Sequence, residues 1–298
     1  MTTPVLFDIP GPRSRARTRI ATVIGALVVL GVLAFVLARL GGNGQLEGQR
    51  WAVLFDPSSR VPQLLLGALL DTLQVALVAM VLATALGLLL AVARLSDHRW
   101  VRVPVGAVVE FFRAIPLLVV IFALYFVLPG FGVRLSPYAA LTAGLVLYNM
   151  AVIAEIVRAG ILSVDRGQRD AAFAIGMRKS QVMTLVLLPQ AVRRMLPILI
   201  AQLVVLLKDS SLGFIIGYFE LLRQARSLVE YFTPRFGNEY TFQLYVAAGL
   251  LYIAVNVLLS QLAKHVDRRS RRSPKTAATN DVGLPVDTPS VTGLNSGL

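Results

Sequence analysis

The chain has 298 residues, 56% of them hydrophobic and only 15% charged, with a mean hydropathy of +0.71. Soluble domains carry about 25% charged residues, so this composition excludes an ordinary soluble protein and points to an integral membrane protein. The net charge of +13 does not mark a nucleic-acid binder, because Lys and Arg gather at the ends of apolar runs, where they set topology; the lack of cysteine excludes disulfides, thiolate metal ligands and a cysteine nucleophile.

Residues 1–19 are rich in Pro, Gly and Arg (Arg13, Arg15, Arg17, Arg19) and read as a basic, disordered N-terminal segment. Residues 20–38 carry no charge and come close to the ~20 residues that cross a hydrocarbon core as a helix. A cleaved signal peptide is the other reading. Its apolar core would be only roughly 7–15 residues long, and here Arg39 follows without a clear small-x-small site. Residues 41–67 form an outer loop opening on a flexible Gly41-Gly42-Asn43-Gly44. A second span covers 69–93, with Asp71 near its outer end, and 94–102 is a short basic connection.

The third span, 114–128, is reached through Glu110-Phe111-Phe112-Arg113. Pro116 is tolerable in its first turn, where its missing N–H would have no intrahelical partner; Pro129-Gly130 ends it. The fourth span covers 138–157, the fifth 196–218 and the sixth 240–263. Beyond Lys264 the chain is first basic (Arg268, Arg269, Arg271, Arg272, Lys275). It then turns polar without periodicity, so that 266–298 reads as a disordered tail.

Six spans place both ends of the chain on one side. With that side cytoplasmic, the inner segments hold roughly three quarters of the 29 Lys and Arg, as the positive-inside rule requires. The loop 158–195 is then expected in the cytoplasm of a plasma-membrane protein, together with both termini.

That loop is patterned. Asp170-Ala171-Ala172-Phe173-Ala174-Ile175-Gly176 reads as a short helix with an acid in its first turn, favourable to the helix dipole, and with Gly176 as its stop. Residues 178–188 can form a second helix ended by Pro189. The small Ala171, Ala172 and Ala174 allow another surface to come close. Taken alone, the same pattern also fits a helix–turn–helix resting on the membrane face.

Within the fifth span, Lys208-Asp209 places charge in the membrane, which is costly unless it faces a bundle interior or an aqueous cavity. The pair either lines a translocation route or contacts a zwitterionic solute, or it makes interhelical ion pairs. Neighbours on a helix point about 100° apart, so the two cannot face one partner squarely. Ser210 and Ser211 add hydroxyls on the same turn, and Gly213 and Gly217 allow close packing. Asn149, Glu155 and Arg158 lie toward the inner end of the fourth span, with Glu155 read as a structural partner for an arginine; only Asp209 lies deep enough in a span to carry a proton. Residues 219–236 hold Leu221, Leu222, Ala225, Leu228, Val229 and Phe232 at helical spacing, with Arg223, Arg226 and Glu230 opposite, an amphipathic helix at the outer surface. It either covers the bundle or meets a binding protein.

The segment Asp170-Ala171-Ala172-Phe173-Ala174-Ile175-Gly176, followed by Leu188-Pro189, resembles the signature loop of ABC importer permease subunits, Glu-Ala-Ala, three residues, Gly, then Leu-Pro. Asp stands here for the usual Glu, keeping the charge on a shorter stem. Glu155-Ile156-Val157-Arg158-Ala159-Gly160-Ile161, Gly167-Gln168, Leu188-Pro189-Gln190-Ala191, Lys208-Asp209-Ser210-Ser211-Leu212 and Phe112-Arg113-Ala114-Ile115-Pro116-Leu117-Leu118 resemble the polar amino acid branch, which handles histidine, glutamine and glutamate. The layout is similar to actinobacterial glutamate permease subunits. The resemblance covers about residues 65–265. It implies an all-α type I ABC importer transmembrane domain with about six transmembrane helices and a cytoplasmic coupling helix.

It also implies roles. Asp170, Ala171, Ala172, Gly176 and Pro189 would engage a cytoplasmic ATP-binding subunit dimer; Lys208, Asp209, Ser210 and Ser211, on the membrane-charge argument above, are the candidates for a substrate pathway. Further partners would be a second permease subunit or a second copy, an extracellular substrate-binding protein and membrane lipids, with no nucleic acid. There is no Gly-x4-Gly-Lys-Ser/Thr loop to cradle phosphates, so no cofactor is expected on this chain, and ATP with Mg would sit on partner subunits. An ion-coupled secondary transporter is the competing class. It would favour internal repeats and broken spans, and neither is visible. A membrane enzyme is disfavoured because His98 and His265 lie near span ends with no catalytic constellation.

Overall fold

A computed structural model describes residues 11–236 and 240–271. The described residues are helical throughout, with helices α1 (Pro12–Gly42), α2 (Gly48–Ala52), α3 (Val61–Arg94), α4 (Arg99–Ala114), α5 (Leu117–Phe122), α6 (Pro137–Leu162), α7 (Arg166–Ala174), α8 (Lys179–Gln181), α9 (Leu188–Asp209), α10 (Leu221–Phe236) and α11 (Thr241–Arg271). Five helical stretches are long and apolar enough to cross a membrane, and α4 and α5 pass the same test only when taken together across their bend.

α1 starts at Pro12, inside the segment expected to be disordered, and carries all four arginines of that segment. Pro12 has the φ of a first helical turn and needs no donor there, and Arg is a good helix former. Residues 1–10 of that segment, and residues 272–298 of the tail, lie outside the described residues. No residue of α1 is buried, so its shaft presents apolar side chains all round. Its far end is held: Trp51 Nε1 donates to the Gln45 carbonyl (3.0 Å), and Gln243 Nε2 donates to the same oxygen (2.8 Å). Trp51 also packs edge-on against Phe242. The loop after α1 is therefore folded down rather than loose, and it is shorter than expected because α3 begins at Val61.

α3 and α6 form the centre. α3 buries a run of small residues (Ala68, Thr72, Ala76, Ala79, Ala83, Gly87, Ala91) along one face, which lets α6 approach closely. A Cβ on Gly87 would stand 2.8 Å from Ile153 Cγ2 and 3.0 Å from the Met150 carbonyl; one on Gly144 would stand 2.6 Å from Ile121 Cγ1. Gly144→Val is accordingly expected to cost about 1–3 kcal/mol by overpacking. Gly25→Val, on the open shaft of α1 with nothing within 4 Å, should be neutral. Thermal unfolding of the two purified variants makes the comparison.

The third span departs from expectation. α4 and α5 meet at 100°, with Pro116 capping α5 instead of sitting in the first turn of a helix from 114. The residue before a proline is driven out of the helical region, and Ile115 is extended (φ −89°, ψ 133°), which stops α4. α5 continues as a π turn, Ala123–Val127, and a 3-10 turn, Leu128–Phe131.

The fifth span is also longer than expected. Pro189 does not end a helix: α8, a π turn over Val182–Leu187, α9 and a 3-10 stretch, Ser210–Ile216, run on as one element of 38 residues, Lys179–Ile216. A proline ring clashes with the carbonyl four residues back, and a wider π turn just before it relieves that clash. α9 packs on α6 and α11, while α10 sits against α3 and α11, burying Leu221, Ala225 and Leu228 with Val61, Leu65, Leu244 and Ala248.

Candidate functional site

Two regions carry the polar groups. The first is the basic end of the bundle, where α3 and α6 finish. Arg94, the last residue of α3, bonds Glu155 Oε2 of α6 (2.7 Å) and Glu110 Oε1 of α4 (2.7 Å), and Arg158 bonds Glu155 Oε1 (2.6 Å). Glu155 is thus the structural partner of arginines that the sequence suggests. Charge-assisted bonds of this kind hold three helices at one point. Arg94→Gln would release the exposed Glu110 to water and leave the partly buried Glu155 to Arg158 alone, for an expected loss of about 1 kcal/mol, read as a lower midpoint of thermal unfolding; an unchanged midpoint would show the network to be idle.

Beyond Glu155, Ser163 closes α6, and Arg194 Nη1 of α9 donates to its carbonyl (2.9 Å). The chain then turns into α7. The N-cap is Asp165, whose carboxylate accepts from Gly167 N (2.7 Å); Asp170 lies mid-helix and exposed, so it is not the first-turn acid expected from sequence. The other end is a Schellman closure: Gly176 N donates to Phe173 O (2.9 Å) and Met177 N to Ala172 O (3.2 Å), with Gly176 at φ +83°. Ala172 is buried against Val164 and Val182, so it packs on its own chain instead of offering itself to another surface. Asp170 and Ala171 remain exposed, with the apolar Phe173 and Ile175 (80% exposed) beside them. Two large apolar residues in and just after a short polar helix are the sequence signal for this exposed apolar pair.

Behind α7 lies a cleft of about 440 Å³ lined by Leu95, Ile161, Arg166, Arg169, Phe173 and Lys179. Lys179 is ion-paired with Asp97 of the α3–α4 turn, and its ammonium holds the Asp97 carboxyl below the usual carboxylate range. Pro189 sits further along in the continuing helix and belongs to its course, not to the α7 surface.

The second region lies toward the other end. Lys208 and Asp209 close α9 just before the 3-10 stretch, and neither makes an ion pair among the described residues. Lys208 and Ser211 line a cleft of about 260 Å³ with Leu222, Tyr245, Tyr252 and Asn256, while Asp209 points elsewhere and is half-buried. Ser210 is fully buried and donates to the Leu207 carbonyl (2.6 Å), so its hydroxyl is spent on its own helix. Gly213 does allow close packing, since a Cβ there would meet Leu141 Cδ2 at 2.6 Å; Gly217, at φ +80°, serves a turn instead. Nearby, Asn149 is buried and accepts from Gln202 Nε2 (2.8 Å), tying α6 to α9.

Glu220 is the residue that sequence reasoning missed. It is fully buried and accepts from Leu222 N (2.8 Å), Arg223 N (2.7 Å) and Tyr252 Oη (2.6 Å), while Leu221 N donates to Thr72 Oγ1 (3.1 Å). One carboxylate thereby caps α10 and fastens it to α11, with α3 joined through Thr72. Its sequence signal was weak: an acid placed directly before an amphipathic run. On the far side of α10, Arg226 pairs with Glu230 (2.8 Å).

An all-α membrane bundle that carries a capped, exposed helix at its basic end and a lysine-lined cleft toward the other has the form of a transport permease. Residues 83–272 match the family described as binding-protein-dependent transport system inner membrane component, and the chain belongs to that family. It is 38% identical to the glutamate transport system permease protein GluD of Corynebacterium glutamicum over 238 residues, 78% of this chain and 84% of that one. It is also 38% identical to the glutamate/aspartate import permease protein GltK of Escherichia coli O6:H1 over 226 residues, 72% of this chain and 98% of that one. Among solved structures it resembles an amino acid ABC transporter crystallised with histidines, at TM-score 0.65 and 30% identity, covering 72% of this chain and 97% of that one.

Proposed function

We propose that the chain is the permease subunit of an ATP-driven importer of a polar amino acid, glutamate first, working by alternating access. The observation that carries this reading is α7. It is a nine-residue helix closed by a cap at each end, with Ala172 anchored inward, Phe173 over the cleft behind it and Asp170, Ala171 and Ile175 turned out. A helix held this firmly transmits displacement, where a loose loop would absorb it. In the proposal the basic end faces the cytoplasm, as the positive-inside rule favours. α7 seats in a groove of an ATP-binding subunit there, and closure of two such subunits draws two copies of α7 together. The second copy belongs to another permease chain or to a second copy of this one, and a binding protein delivers solute at the outer end. Lys208 offers the cation that a substrate carboxylate needs within the cleft. Glutamate as cargo is supported by the names of the relatives.

Reconstitution of the chain with its ATP-binding subunit and binding protein, and measurement of labelled glutamate uptake, tests the proposal. Uptake is expected only with ATP on the ATP-binding subunit's side. Uptake without ATP that follows an imposed ion gradient would instead make the chain a secondary transporter.

A further inference from the structure

α4 is set apart from the other long helices by its direction. It meets α5 at 100°, so it runs along the membrane plane when α5 runs across it. It does so at the basic end, where Glu110 bonds the last residue of α3 and Gly106 approaches the Arg94 side chain. Only Val109 is buried. The opposite stripe is apolar and open: Trp100 is 93% exposed, Val103 62% and Phe111 58%. Arg99 and Arg102 stand exposed on α4, and neither forms a hydrogen bond or contact ion pair within the described residues, although the charge of Arg102 also reaches Asp97. Glu110 is occupied by Arg94, and Asp97 by Lys179.

An in-plane helix with an apolar stripe, cations along its edge and a tryptophan at one end is built for the headgroup layer of a bilayer. We propose that α4 is a binding site for anionic phospholipid headgroups of the cytoplasmic leaflet, with Arg99 and Arg102 holding the phosphate and Trp100 and Phe111 entering the acyl boundary. Cations held near an anionic leaflet attract its headgroups, and two of them side by side enrich one lipid class over a neutral one. The site rests on the reading that the basic end faces the cytoplasm. It does not depend on which solute is carried or on whether ATP drives it.

The chain has two tryptophans, so Trp51→Phe leaves Trp100 as the single reporter. The variant is placed in vesicles of phosphatidylcholine containing 30 mol% of a lipid brominated on its acyl chains, either phosphatidylglycerol or phosphatidylcholine. Trp100 fluorescence is expected to be quenched by both. Brominated phosphatidylglycerol should quench at least about twofold more strongly, because two cations near the leaflet favour it. The added Arg99→Gln/Arg102→Gln pair should remove that preference and leave the basal quenching, with an unchanged unfolding midpoint showing that the bundle is intact. Equal quenching by the two lipids before the arginines are changed would overturn the headgroup site. No quenching by either would mean that α4 is covered by protein or lies in water, and would overturn it too. Uptake measurements play no part, so failure here leaves the transport reading standing, and failure of uptake leaves the lipid site standing.

Discussion

Uptake by a Gly176→Leu variant is expected to fall about 5- to 30-fold below the unsubstituted rate, with the protein still present in the membrane. Gly176 holds φ +83° and donates the bond that closes α7 on Phe173. No atom lies within 4 Å of the position a Cβ would take, so the penalty is conformational and not steric. A side chain in the left-handed region costs roughly 1–2 kcal/mol, and that is a factor of about 5–30 in the population of the closed turn. Asparagine tolerates this region, so Gly176→Asn should keep most of the activity. Labelled-solute uptake, normalised to membrane abundance by immunoblot, makes the comparison. Full uptake in the leucine variant would remove α7 from any role in coupling.

The largest stability effect is expected at Glu220. Glu220→Ala leaves Tyr252 Oη and the amides of Leu222 and Arg223 without their acceptor in a buried place. Each stranded group costs on the order of 1–3 kcal/mol, so α10 should detach from α11 and the unfolding midpoint should drop well below that of Tyr252→Phe, which loses one bond. The pH dependence has a definite sign. Burial pushes the Glu220 carboxyl above the usual carboxylate range, whereas in the unfolded chain it titrates near about 4.3. The folded state then binds the proton more tightly. Its contribution is fully present below that unfolded value and is lost as pH rises through the higher folded one. Glu220→Gln, which keeps an acceptor oxygen but cannot titrate, should flatten this slope. Parallel slopes for the two proteins would assign the pH dependence to other groups.

The spans were legible because membrane-grade apolar runs leave little room for another reading, and the central helix α6 lies within a few residues of its expected limits. Gly176 as a stop was legible too, since a glycine after a run of helix formers has few other uses. What stayed hidden came from tertiary or wider-turn effects. Pro189 looked like a terminator because a single sequence does not reveal that Val182–Leu187 will open into a π turn and carry the helix past it. The 100° corner at Ile115-Pro116 stayed hidden because a proline near the start of an apolar run fits the first turn of a helix equally well, and only the extended Ile115 shows that it breaks the chain there. Glu220 escaped because its three partners come from two helices, and only the fold brings Tyr252 to it. That Lys208 and Asp209 face different ways follows from the ~100° step of a helix; which of the two meets a cleft came only with α10 and α11 in place around Lys208.

The unbroken course from Lys179 to Ile216 joins the two polar regions mechanically. Lys179 stands directly after the turn that closes α7, and Lys208 lines the cleft toward the other end. At 1.5 Å per residue the two are about 44 Å apart along the axis. Over such an arm a tilt of about 5° carries the far end through roughly 4 Å, more than the width of a water molecule. Pro197 and the π turn are the compliant points of that arm. Under the proposed coupling, they would divide a small rotation imposed beside α7 between bending of the helix and travel at Lys208. Stiffening either of them would therefore change the throw of the lever without touching its two ends.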